Sequence, residues 1–98
     1  MEAGTPSRTA FRVALRRAIH QVLDRPPVLD DPLAVPLLGA RFTLDLTRET
    51  PTWARAFRAY MAVRSRFAED QLAGAVSEGV TQYVLLGAGL DTFAYRNP

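Results

Sequence analysis

Apolar residues first recur at spacings of three and four in Phe11, Ala14, Leu15, Ala18, Ile19, Val22 and Leu23, which predicts an amphipathic helix from Thr9 to Asp24. Ser7 or Thr9 can cap its start, and Pro26-Pro27 cannot continue it. Arg12, Arg16 and Arg17 then fall mainly on the solvent side, and His20 beside the apolar stripe reads as a structural or surface histidine. A short second helix is expected from about Asp31 to Leu38, with Asp30 or Asp31 as its cap, Pro32 in its first turn and Gly39 at its end. Residues 40–50 are irregular; Phe42, Leu44 and Leu46 alternate weakly, like a short strand.

The longest periodic stretch runs from Trp53 to about Ser77. Its stripe passes through Trp53, Phe57, Tyr60, Met61, Phe67, Ala68, Leu72, Ala75 and Val76, which predicts one long helix with a possible break near Val63 to Ser65. Arg64 falls on the same inward face. A charge there is costly unless it is paired or reaches water, so Arg64 either faces a ligand or snorkels or pairs with an acid such as Asp70. Gly79 ends the stretch. Gln82-Tyr83-Val84-Leu85-Leu86 then reads as a strand buried on both faces, as in a parallel sheet. It leads into Gly87-Ala88-Gly89-Leu90-Asp91-Thr92, after which a helix can begin. Helix, strand, glycine turn and helix in this order indicate an α/β fold.

A glycine turn after a buried strand lets a ligand approach the backbone, at the strand end where open α/β sheets bind nucleotides. Here Thr92 stands where a dinucleotide fingerprint has its third glycine. G-x-G-x-x-T alone is compatible with NAD, FAD or S-adenosylmethionine, and also with an ordinary strand-to-helix turn.

Composition narrows the classes. The chain has 98 residues, 48% hydrophobic and 22% charged, which fits one small globular unit and not a disordered segment. Cysteine is absent, so disulfides and thiolate metal sites are excluded. No apolar run reaches the roughly 18 residues of a membrane span, and Met1 to Thr9 lack a secretory core. A cytoplasmic protein without a membrane or metal role is expected. All 12 basic residues are arginine, yet the net charge is only +2. The cluster Arg8, Arg12, Arg16 and Arg17 therefore reads first as a solvated face, and nucleic acid is not an expected partner.

Several segments together resemble one family. Val84 to Thr92, followed by Ala94-Tyr95-Arg96, is similar to the first motif of the leucine carboxyl methyltransferase family, closest to its bacterial S-adenosylmethionine-dependent branch. Ser7-Arg8-Thr9-Ala10, Asp30-Asp31-Pro32-Leu33-Ala34 and Ala62-Val63-Arg64-Ser65-Arg66-Phe67 agree in order and spacing. The resemblance implies the N-terminal part of a Rossmann-like class I methyltransferase, mostly helical over these residues. It implies one incomplete domain, with a helical region over 1–78 and the first strand, the cofactor loop and the start of a helix over 79–98.

The same resemblance implies that Gly87, Ala88 and Gly89 flank the methionine part of S-adenosylmethionine, and that an arginine of the preceding helix holds its carboxylate. Arg64 matches that role best and Arg66 is the runner-up; a guanidinium fork suits a carboxylate. Asp91 belongs to the motif and is expected to order the loop by accepting backbone N–H bonds. Leu85 stands where many class I enzymes carry an acid, a departure that this family tolerates.

The expected activity is methyl transfer to an oxygen nucleophile, a carboxylate or hydroxyl on a small molecule or a protein. No catalytic base is assigned, and the oligomeric state is open. The ribose, adenine and acceptor contacts are expected beyond Pro98. The chain alone is accordingly expected to be inactive and to lack micromolar affinity for S-adenosylmethionine in a calorimetric titration. The rival readings are a nicotinamide- or flavin-dependent oxidoreductase fragment and a small arginine-rich helical binding protein.

Overall fold

The structure, a computed structural model, describes residues 7–96; the expectations for Met1 to Pro6 and for Asn97 and Pro98 lie outside them. Among the described residues the helices are, in order, α1 (Arg8–Leu23), α2 (Ala34–Leu38), α3 (Leu46–Glu49), α4 (Thr52–Ser77) and α5 (Phe93–Arg96), with a 3-10 turn at Gly39–Arg41 after α2. Helix α1 packs against both α2 and α4, and α3 against α4.

The helix ends follow local chemistry. Ser7 is the cap of α1, its hydroxyl accepting the Ala10 N–H at 3.1 Å. Helix α2 starts three residues later than Asp31. Asp31 instead turns the chain ahead of it, its carboxylate accepting the Leu33 N–H at 3.1 Å and its carbonyl the Ala34 N–H at 3.2 Å. The weak strand expected around Phe42 to Leu46 is absent. Asp45 opens α3 there, accepting the Thr47 N–H at 3.0 Å, because a short polar side chain competes well for an unpaired helix-start donor. Helix α4 is unbroken through Val63 to Ser65. It closes with paired bonds from Val80 N to Ala75 O, 3.1 Å, and Gly79 N to Val76 O, 3.0 Å, which satisfy its last carbonyls.

The expected strand over residues 82–86 does not form: the described residues contain no strand, and this segment is irregular and exposed, with Leu86 at 88%. A strand needs neighbours for its N–H and C=O groups and cover for its faces. No second extended segment lies beside it among the described residues.

The buried face of α4 also differs from the predicted stripe. Ala54, Arg58 and Ala62 are buried, whereas Trp53, Phe57, Tyr60 and Phe67 are exposed. The aromatic residues do share one face, but α1 lies against the face about one residue round from it, where alanines permit close approach. The apolar core is correspondingly thin: Ala14 and Ala18 of α1 meet Ala34 and Leu38 of α2, flanked by Phe11, Leu15, Val35, Phe42 and Leu90.

Polar side chains complete the packing. His20 is buried, its Nε2 accepting the N–H groups of Val28 (3.1 Å) and Leu29 (3.3 Å). Acceptance at Nε2 assigns the proton to Nδ1, which donates to Asp24 Oδ2 at 2.8 Å. Gln21 donates to the Leu29 carbonyl at 2.8 Å and accepts the Asp31 N–H at 3.0 Å. Two adjacent residues of α1 thus hold the following loop. Arg58 of α4 donates to both oxygens of Asp24, at 2.7 and 3.0 Å, and to Glu49 Oε1 at 3.0 Å; Arg16 takes the other oxygen of Glu49.

The hydrogen bonds from Arg58, with a smaller contribution from His20, hold the Asp24 carboxyl below its ordinary value of 3.8 against the opposing effect of burial. A depressed carboxylate contributes stability that is present above its unfolded pKa and lost as pH falls through the folded one. Asp24→Asn is therefore expected to lower the urea midpoint at about pH 7, and the gap to the parent chain to narrow as pH falls below 3.8 and through the depressed folded value. A gap unchanged over that range would show that the charge of Asp24 contributes nothing.

Candidate functional site

The glycine turn lies against α1. Gly87 and Gly89 adopt left-handed backbone, with φ of 62° and 56°. A Cβ on Gly89 would come within 3.1 Å of the Ala10 Cβ, so side-chain-free backbone is what lets this loop approach α1. A Cβ on Gly87 would meet nothing within 4 Å and would stand in open space. The Asp91 N–H closes the turn onto the Ala88 carbonyl at 3.0 Å, and Asp91 Oδ1 accepts the Phe93 N–H at 2.8 Å, starting α5. Tyr83 meets Phe93 edge to face at 5.2 Å between centroids.

A buried carboxylate fixes where this loop sits. Asp31 accepts the Thr92 hydroxyl hydrogen bond at 2.6 Å, and Arg17 Nε and Arg96 Nε stand 3.1 and 3.4 Å from its oxygens. The Arg17 Nε–H is not aimed at an acceptor, so that contact is one of charge without a hydrogen bond. Another nitrogen of Arg17 donates to the Leu90 carbonyl at 2.5 Å, inside the loop itself. Arg96 continues the network, donating to Thr92 Oγ1 at 2.9 Å and forking onto Glu69 of α4 at 3.0 and 2.5 Å. Bonds to Glu69, then the nearby Asp31 and Asp91 charges, raise the Arg96 pKa above its ordinary value against the cost of burial. Helices α1, α4 and α5 and the glycine turn are tied together through these groups.

The expectation that Arg16 and Arg17 point to water is corrected here. Arg17 is buried, and Arg16 is mostly covered by its pairing with Glu49. A buried guanidinium is tolerated because Asp31 and the Leu90 carbonyl receive it. Thr92, Asp31 and Arg17 were not among the sequence candidates for the site. The available signal was that Arg17 sits between Ala14 and Ala18 on the alanine face of α1.

Beside the loop is a cavity of about 380 Å³, within the usual small-molecule range of about 300–1,000 Å³. Its lining includes Gly87, Ala88, Gly89 and Asp91 together with Arg64 and Ser65 of α4 and Thr9 and Val13 of α1. Arg64 is not on a buried stripe; it is exposed and has no ion-pair partner among the described residues, Asp70 included. Arg66 faces elsewhere, with Nε bonded to both Asp70 oxygens at 3.0 and 3.1 Å and a terminal nitrogen donating to the Val28 carbonyl at 2.9 Å. The structure thus brings Arg64, Gly87, Ala88, Gly89 and Asp91 to one cavity and leaves Arg66 outside it. No helix among the described residues is long and apolar enough to cross a membrane.

Comparison with known proteins gives a consistent family. The family model for leucine carboxyl methyltransferase matches residues 10–98. Proteins named "Putative S-adenosyl-L-methionine-dependent methyltransferase" are similar over nearly the whole chain. That of Mycolicibacterium gilvum is 40% identical over 98% of this chain and 35% of its own length, and that of Mycobacterium avium 34% identical over 96% and 35%. A relative in Mycolicibacterium smegmatis, with the same words in its name, is 38% identical over 98% of this chain and 36% of its own length. The chain therefore spans about a third of the length of these relatives. No solved structure matches it.

Asp31→Asn removes the charge that faces Arg17 and Arg96. Loss of one partner from a buried ion pair costs about 3–5 kcal/mol, so the variant is expected to unfold at clearly lower urea than the parent chain. A shift within about 0.5 kcal/mol, as for an ordinary surface change, would remove Asp31 from its organising role.

Proposed function

The chain belongs to the leucine carboxyl methyltransferase family, and from that premise we propose that it forms the methionine end of an S-adenosylmethionine site in an enzyme that methylates an oxygen nucleophile, a carboxylate or hydroxyl. The names of the relatives support the cofactor. The observation that carries the reading is Arg64, which reaches the glycine cavity with its guanidinium unpaired while the neighbouring Arg66 is engaged with Asp70 and Val28.

The residues fit such a ligand. Left-handed Gly87 leaves open space where a side chain would stand, so a ligand can lie against the backbone. Arg64 supplies a planar, permanently charged fork for the ligand's carboxylate. Ala88 and Gly89 give a low wall, and Asp91 holds the turn in shape by accepting the Phe93 N–H. When bound, S-adenosylmethionine would supply a methyl group already made electrophilic by its sulfonium, with Arg64 and the backbone of Gly87 and Gly89 holding its methionine end. The protein's task is then alignment and exclusion of water. The segment over 82–86 takes the place of the first strand of a Rossmann-like α/β sheet in this reading.

Contacts to one end of the ligand alone support weak binding, so the test uses an observable that reports it. Saturating S-adenosylhomocysteine is expected to shift the amide resonances of Gly87 and Gly89. Arg64→Gln should weaken this response by about tenfold or more, the worth of a charge-assisted hydrogen bond of about 1.5–3 kcal/mol, without lowering the melting temperature. Arg66→Gln should leave it unchanged. Equal losses in the two variants, or no response in the parent chain, would sink the assignment of Arg64.

A further inference from the structure

A second cleft, of about 560 Å³, adjoins the glycine cavity, and Thr9 and Val13 of α1 line both. Its other walls include Arg12 and Arg16 of α1, Arg48 of α3, and Trp53 and Phe57 of α4. Both aromatic residues are exposed, Trp53 at 65%. Arg16 is engaged already, paired with Glu49 and lying 5.9 Å from the Phe57 ring centroid. Glu49 in turn is shared between Arg16 and Arg58, so its carboxylate is fully committed. Arg12 has no ion pair among the described residues, and Arg48 has only Asp45 at 3.9 Å, a pair open to water on both sides. The cleft therefore presents one arginine without an ion pair among the described residues, Arg12, and one only loosely paired, Arg48, next to two aromatic side chains.

We propose that this cleft binds the anionic end of an elongated acceptor with an aromatic or apolar body. Arg12 and Arg48 pair with a carboxylate-class anion, and Trp53 and Phe57 receive the body by stacking and apolar contact. Past the Thr9 and Val13 boundary, the far end of the molecule enters the glycine cavity. The anion held at Arg12 and Arg48 is then an anchor, and the oxygen that receives the methyl group is a different one at the opposite end. Which end is methylated rests on the cofactor reading above; the anion site itself does not.

Trp53 is the only tryptophan of the chain, so its emission reports the cleft. The chain is titrated with phenylbutyrate and with its neutral amide. The acid is expected to change Trp53 emission saturably and to bind at least about fivefold more tightly than the amide, with an advantage that shrinks as salt is added. Arg12→Gln with Arg48→Gln should abolish that advantage while leaving the response of the Gly87 and Gly89 amides to S-adenosylhomocysteine intact. Equal affinity for acid and amide, or parent affinity in the double variant, overturns the proposal. If S-adenosylhomocysteine gives no response while the arginine-dependent preference for the acid persists, the cofactor reading fails and the anion site stands.

Discussion

The carboxylate of Asp31 has no exposure to water, and a charge so placed persists only when cations and hydrogen-bond donors surround it. Here those groups come from separate parts of the chain: Arg17 from α1, Thr92 from the glycine turn and Arg96 from α5. Meeting the needs of one buried oxygen pair therefore fixes three segments relative to one another. Glu69 extends the constraint to α4 through Arg96. A loop with two left-handed glycines and little apolar surface of its own gains a defined position in this way, and Arg17 completes it by holding the Leu90 carbonyl.

The same principle operates at the other end of α1. Asp24 and Glu49 are joined by Arg58, and His20 links Asp24 to the backbone of the following loop. These two networks of charged and polar side chains lie among the buried residues of α1 and α4. With alanine as the main buried residue of α1 and α4, dispersion contacts are few per residue, and geometric specificity falls to directional ion pairs.

Much of this arrangement is legible in the sequence, and the limits have physical causes. Helix ends are local matters, and Ser7, Gly39 and Gly79 mark them where expected. The glycine turn is legible because few residues can supply two left-handed positions, four and two residues before an aspartate that starts a helix. Which helix face is buried is not local. Periodicity places Trp53, Phe57, Tyr60 and Phe67 together, but only the partner across the interface decides that Ala54, Arg58 and Ala62 turn inward. Arg64 shows the consequence: periodicity puts it on an inward face, whereas the residue is exposed and lines the cavity beside the glycine turn. The strand over 82–86 fails for a related reason, since its apolar composition describes a sheet whose neighbours are not among the described residues.

Helix α4 is 26 residues long and unbroken, and at about 1.5 Å per residue it is a rigid rod. Trp53 and Arg64 stand on one side of that rod, eleven positions apart, or about 16 Å along the axis. Two points fixed on a stiff helix keep a set separation, so the rod holds the cleft beside Trp53 in constant register with the cavity beside Arg64. In the proposed reading, cofactor and acceptor would be two different molecules aligned by one helix, with no loop between their anchoring points to absorb slack.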